Sequence, residues 1–252
     1  MYKIPDKTVF LGKKIISLPF CESTNTQLIS LAQSRKLEEG TIVITPNQTK
    51  GRGQGGNMWL TEPGVNLTFS FLLKPEFLDP SRQFFLNMAI GLGIRDSIRH
   101  LTSLEPKLKW PNDILIDSTK VCGILIENQI HGTRFAQSVV GVGLNVNQKG
   151  FDLPNATSLS LSSGNYLNLT EVFETLLIKI ESRYLQVKSR NFEQLKDEYC
   201  SALYWRNEMH EFSNGNEIFK GEIKGIDDVG RLLIETNGSS RKFNFKEVTF
   251  VR

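Results

Sequence analysis

Cysteine and histidine are scarce in this 252-residue chain, with three of each. Cys21, Cys122 and Cys200 are odd in number, far apart and flanked by apolar residues. That spacing argues against a disulfide framework or a metal site and is read as buried free thiols. Long apolar runs are missing too: the longest, around Phe84 to Ile94, is interrupted by Asn87 and is too short to span a bilayer. The stretch MYKIPDKTVF carries a proline and an aspartate where a secretory signal would be apolar, so a cytoplasmic protein without a membrane partner is expected. There is little excess of charge. The formal net charge of +3 is spread along the chain and leaves no footprint for nucleic acid. Repeats and low-complexity segments are absent. The first helix signal arrives near Ser23, which leaves no room before it for a helix-turn-helix domain.

What remains is ordinary for a folded protein: 39% hydrophobic and 23% charged residues. The length suits one domain of about 200 residues with a small appendage. Lys14 to Pro19 reads as a strand, and Ser23-Thr24-Asn25 offers N-cap side chains for a helix patterned by Leu28, Leu31 and Ala32 and closed by Gly40. Thr41 to Thr45 and Val65 to Leu73 read as strands on either side of a glycine-rich loop. Asp79-Pro80-Ser81 is expected to cap a helix running to about Leu101, with strands following at Leu115 to Ile116, Cys122 to Glu127 and Ser138 to Asn145. So few helices between strands point to a mixed or largely antiparallel sheet. Helices capped at Thr170 and Asn191 are expected to cover one of its faces. From Arg206 the pattern changes to short strands broken at Asn214-Gly215, Asp228-Val229-Gly230 and Asn237-Gly238, which reads as a small β-barrel. The expected fold class is thus α+β, with domains at 1–205 and 206–252.

Four segments carry the chemistry. In the first, Gln48 to Trp59, Gly51, Gly53 and Gly56 satisfy the G-x-G-x-x-G spacing. A dinucleotide fold would start a helix there, whereas Pro63-Gly64 and a strand follow, so that reading is rejected. What is left is a pliant loop whose bare backbone can approach an anion, with Arg52 as a planar donor to carboxylate or phosphate. The second, Lys109-Trp110-Pro111-Asn112-Asp113, holds a lysine near a strand end, where ligands commonly bind. The third and fourth, KVCGILIE from Lys120 and VVGVGLNVN from Val139, are apolar strands interrupted by glycine. Glycine within a strand marks a close approach, so a flat, apolar ligand is expected across Gly123 and Gly141-Val142-Gly143. Taken singly, the segments also fit a surface hairpin, a solvated lysine beside a Trp-Pro turn, and two core strands with bulges.

Together and in this order, the segments resemble the biotin–protein ligase family: Ser23-Thr24-Asn25, the Gln48 to Trp59 loop, Lys109 to Asp113, Gly123-Ile124-Leu125 and Gly141 to Asn145. The resemblance implies a biotin/lipoate ligase-like domain related to class II aminoacyl-tRNA synthetases, followed by a Src-homology-3-like (SH3-like) barrel. It implies activation of biotin by ATP with Mg²⁺ to biotinyl-5′-AMP, then transfer to a lysine of the biotin carboxyl carrier protein of a biotin-dependent carboxylase. By position, it assigns Ser23, Thr24, Asn25, Gln48, Arg52, Gly53, Gln54, Lys109, Gly123 and Leu125 to biotin. Arg52, Trp59, Lys109, Asn112 and Asn145 would meet ATP or the adenylate, with Lys109 and Arg52 as the catalytic cations. Asp113 is the candidate base for the transfer step, and no metal ligands are assigned. Many relatives carry arginine where Gln54 stands, and often a basic residue where Gly55 stands. Loop closure is therefore expected to rely more on Arg52 and on neutral hydrogen bonds. A lipoate–protein ligase, a non-catalytic biotin sensor and a DNA-binding regulator are the other readings, and sheet-edge pairing into a homodimer is left open.

Overall fold

The computed structural model describes residues 5–152 and 154–251, so residues 1–4 and 252, the outer ends of the two expected domains, lie outside it together with residue 153. In chain order the first part runs β1 (Ile15–Ser17), α1 (Thr24–Ser34), β2 (Ile42–Thr45), β3 (Leu67–Leu73), α2 (Phe84–Leu101), β4 (Lys107–Lys109), β5 (Asp113–Ile116), β6 (Thr119–His131), β7 (Arg134–Leu144), α3 (Leu159–Ser163), α4 (Leu169–Lys188) and α5 (Phe192–Ser201). The seven strands form one sheet in the order β1-β2-β3-β7-β6-β5-β4. The β1–β2 pair is parallel and the other pairings are antiparallel, as the close succession of strands predicts.

Strand side chains alternate between faces, and here the two faces differ in kind. Leu67, Phe69 and Phe71 of β3, Cys122 and Ile124 of β6, and Val140, Val142 and Leu144 of β7 enter one core together with α2, α4 and α5. Phe69 meets Phe173 of α4 edge-on at 5.1 Å. Gly93 lets α2 and α4 approach closely, since a methyl there would lie 2.7 Å from Ile180 Cα. The opposite face is only partly covered. Leu28 on α1 packs on Val43, Leu72 and Val139. Beyond them this face presents Thr68, Ser70, Gly123, Leu125, Glu127, Gly141 and Gly143, which alternate with the core residues on the same strands.

The C-terminal part is a five-stranded antiparallel sheet, built from β8 (Met209–Ser213), β9 (Ile218–Ile226), β10 (Leu232–Thr236), β11 (Ser239–Phe243) and β12 (Thr249–Phe250), ordered β11-β10-β9-β8-β12. Asn237 and Gly238 take φ of 51° and 73° at the tightest hairpin, the left-handed geometry that an Asn-Gly pair predicts.

Helix starts differ from expectation for identifiable reasons. Asp79 caps a short 3₁₀ turn, Pro80–Arg82, and α2 begins after it at Phe84. Asn168 rather than Thr170 caps α4, its Oδ1 accepting from both Thr170 N–H and Glu171 N–H. The short elements β4 and α3 are set by pairing with β5 and by the Ser158 cap, signals too brief for periodicity.

Candidate active site

The uncovered face of the sheet is the floor of a narrow cleft. Gly123 pairs with Gly143 across β6 and β7, and Leu125 pairs with Gly141. Each glycine makes room for a particular neighbour. A methyl at Gly141 would sit 2.2 Å from Asn25 Oδ1, and one at Gly143 would sit 2.3 Å from Trp59 Cε2. The expected flat group across the glycines is therefore, in this structure, the indole of Trp59, which lies against Gly123 and Gly143, while Gly141 receives Asn25.

Asn25 and Thr24 enter from the first turn of α1. The Asn25 amide nitrogen donates to Glu127 Oε2 at 2.9 Å and to the Leu125 carbonyl at 3.3 Å, and its Oδ1 accepts from Ser70 Oγ at 2.5 Å. Gln48 Oε1 accepts from the Thr24 N–H at 2.8 Å and the Thr24 hydroxyl at 3.2 Å. The loop from Gly51 to Trp59 forms the roof. It folds as a small hairpin, with Trp59 N–H bonded to the Gly51 carbonyl at 2.9 Å and Gly53 N–H bonded to the Asn57 carbonyl at 2.7 Å. At its tip Gly55 takes φ of 71°. No long helix starts there, in keeping with rejection of a dinucleotide site. The Arg52 guanidinium reaches back to the sheet, where Nη2 lies 2.6 Å from Glu127 Oε1 and Nη1 lies 3.3 Å from both Glu127 Oε2 and Thr26 Oγ1.

Beyond Trp59 lies a second, wider compartment lined by Thr49, Met58, Leu60, Asn145, Gln148, Phe151 and Asp152, among others. Gln48, Trp59 and Lys120 line both compartments. Lys120 thus stands at the junction, held by an ion pair with Asp113 at 2.6 Å and lying 5.4 Å from the centre of the Trp59 ring. Three polar atoms around the cleft, Gln54 Oε1, Trp59 Nε1 and Asn145 Oδ1, are buried without a hydrogen-bond partner among the described residues. Such atoms are costly unless something else supplies the partner. Among the described residues no group of three or more His, Cys, Asp or Glu could hold a metal ion.

Of the residues expected to bind biotin, Thr24, Asn25, Gln48, Arg52, Gly53, Gln54, Gly123 and Leu125 line the first compartment. Ser23 lies outside it as the N-cap of α1. Lys109 also lies outside: β4 directs it to the C-terminal sheet, where its amine sits 5.0 Å from the centre of the Phe250 ring. Trp110 follows it, donating from Nε1 to the Gly230 carbonyl at 2.9 Å. The Lys109-to-Asp113 segment is therefore divided: the Lys109 amine and Trp110 meet the C-terminal part, Asn112 is at the cleft, and Asp113, opposite Lys109 in the β4–β5 pair, reaches the cleft only through its ion pair with Lys120. Asn112 lines the first compartment, Asn145 the second, and Trp59 both. Thr68, Ser70, Lys120 and Glu127 were not among the sequence candidates. For Thr68, Ser70 and Glu127 the signal was polar residues at every second position of apolar strands, which places them on one face with the glycines; Lys120 lies beyond an irregularity in the β5–β6 register and has no such signal.

Residues 17–145 match the profile of the Biotin/lipoate A/B protein ligase family, and residues 212–250 match that of the Biotin protein ligase C terminal domain. The chain is 32% identical over 242 residues to the bifunctional ligase/repressor BirA of Bacillus subtilis, covering 94% of this chain and 74% of that one. It is 30% identical over 236 residues to the biotin–[acetyl-CoA-carboxylase] ligase of Mycobacterium tuberculosis, covering 91% and 86%. Among solved structures, the biotin protein ligase from Aquifex aeolicus in complex with biotin and ATP matches with a TM-score of 0.80 at 28% identity, covering 95% of this chain and 99% of that chain. With the profile match, the identity and the coverage all in agreement, the chain belongs to the biotin/lipoate A/B protein ligase family, on its biotin–protein ligase side.

Proposed function

We propose that this protein is an ATP-dependent biotin–protein ligase. It activates biotin as biotinyl-5′-AMP with release of pyrophosphate, then passes the biotinyl group to a lysine of the biotin carboxyl carrier domain of a biotin-dependent carboxylase. The observation that carries the reading is the pair of compartments meeting at Lys120 and Trp59. One is narrow, glycine-floored and lined with amides; the other is wider and contains the unpaired Asn145 Oδ1.

In this reading the biotin ring lies in the first compartment among Thr24, Asn25 and Gln48, and its carboxylate points to the junction. ATP enters as its magnesium complex, with the adenosine in the second compartment, where an amino group of the base satisfies Asn145 Oδ1. A carboxylate is already ionised at neutral pH, so the first step needs alignment and charge neutralisation rather than a base. A biotin carboxylate oxygen bonds to the α-phosphorus, the bond to the bridging oxygen breaks, and pyrophosphate leaves. Lys120 is the cation assigned to that point. One of its N–H groups is held by Asp113, leaving the others for the junction. That ion pair gives Asp113 an orienting role, in place of the base role expected from sequence. In the second step the acceptor lysine amine, having lost its proton, attacks the acyl carbon and AMP leaves. The roof over Trp59 excludes water from the mixed anhydride meanwhile.

No helix among the described residues is long and apolar enough to cross a membrane, and the cytoplasm, where ATP is available, is the proposed location. The test is exchange of labelled pyrophosphate into ATP. Exchange that requires biotin, and is not supported by lipoate, is expected; tight biotin binding without exchange would replace the ligase reading with that of a binding protein.

A further inference from the structure

We infer that Glu127 is a positioning residue that ties the roof of the cleft to the amide reading the biotin ring; the inference rests on the ligase reading above. Glu127 stands on β6, two residues beyond Leu125, on the cleft face, and its side chain is 26% exposed. One carboxylate serves two elements at once. It accepts both η nitrogens of Arg52, from the loop, and the amide nitrogen of Asn25, from α1.

The second contact fixes the direction of a chain of hydrogen bonds. With its nitrogen held between two acceptors, Glu127 and the Leu125 carbonyl, Asn25 must present its oxygen to Ser70. Ser70 is fully buried, lies 2.5 Å from Asn25 Oδ1 and 2.7 Å from Thr24 Oγ1, and has a single proton. The Asn25 oxygen can only accept, so it takes that proton, and the Thr24 hydroxyl is left facing Ser70 Oγ and Gln48 Oε1. The donors and acceptors offered to the ring are thereby set from Glu127.

The first contact anchors the roof. Both η nitrogens of Arg52 are engaged on protein atoms, so this residue works as a tether of the loop to β6. That leaves Lys120 as the cation directed at the reacting atoms.

The two contacts can be separated by substitution. Glu127→Gln keeps an oxygen for Asn25 and loses the charge for Arg52. It should leave the dissociation constant for biotin within about twofold, and speed deuterium uptake over residues 50–60 of the free protein by about fivefold, the scale of a half-exposed ion pair. Glu127→Ala should do the same to the loop and also weaken biotin by about tenfold, as an amide loses its acceptor. The double variant Arg52→Glu with Glu127→Arg should restore slow uptake while leaving biotin weak, because arginine cannot accept from Asn25. A Gln variant as weak for biotin as the Ala variant, or unchanged uptake in all three, would overturn the inference. Loop protection that follows these expectations in a protein showing no biotin-dependent exchange would instead remove the ligase reading and keep the tether.

Discussion

Replacing Gly143 by alanine tests whether the Trp59 indole is the wall between the two compartments. A methyl group at this position would lie 2.3 Å from Cε2, 2.5 Å from Nε1 and 2.7 Å from Cζ2 of Trp59. Carbon contacts settle near 3.5–4.0 Å, so the ring has to retreat by roughly 1 Å. The strand itself has no reason to object. Gly143 is paired on both sides, with Thr68 and Gly123, and alanine in a regular strand costs less backbone entropy than glycine. The strain therefore falls on the loop that carries Trp59. Full burial of a large apolar side chain contributes about 1.5–3 kcal/mol, and losing part of it corresponds to roughly a tenfold rise in KM for biotin. In pyrophosphate exchange we expect that rise together with a melting temperature within a few degrees of that of the parent. Gly123→Ala, where the nearest Trp59 atom is 3.0 Å away, should show a smaller effect in the same direction. An unchanged KM in Gly143→Ala, or a drop in melting temperature without a kinetic change, would refute the assignment of Trp59.

Other expectations follow from single contacts. Asn145→Ala removes the unpaired Oδ1 from the second compartment and should raise KM for ATP several-fold, leaving biotin binding unchanged in calorimetry. Glu181, 4% exposed, accepts the backbone N–H groups of Val9, Phe10 and Leu11 at 2.6, 2.8 and 2.7 Å. Glu181→Ala strands all three, should cost about 3 kcal/mol or more, and should lower the melting temperature by roughly 10 °C with KM values intact. Burial pushes the thiols of Cys21, Cys122 and Cys200 above their ordinary range. A thiol reagent at pH 8 should therefore find no fast-reacting cysteine in the native protein and three after denaturation.

Much of this was legible from residue order. The alternation in VNLTFSFLL and VVGVGLNVN marks which strand faces are apolar, and the interrupting glycines of Gly123 and Gly143 do mark close approach, although an indole lies against them. Ser23, Thr24 and Asn25 read correctly as the start of a helix; only the fold shows that Ser23 is used as the cap while Thr24 and Asn25 face the cleft. Lys109 illustrates what a linear pattern cannot carry. It stands opposite Asp113 in the β4–β5 pair, yet its amine reaches Phe250, more than a hundred residues away in sequence. Lys120 stands within a segment singled out for its glycine, and its place at the junction depends on the register of β5 with β6, which sets it beside Asp113. Glu127 escaped for a similar reason. Its two partners come from a loop and a helix that meet only in the folded chain.

The most direct test of the account is the intact mass of a biotin-carrier domain after incubation with this protein, biotin, ATP and Mg²⁺, beside Lys120→Ala and Lys109→Ala. A gain of one biotinyl group is expected with the parent, a loss of that product with Lys120→Ala, and most of it retained with Lys109→Ala. An unmodified carrier with the parent protein, or an inactive Lys109→Ala beside an active Lys120→Ala, would contradict it.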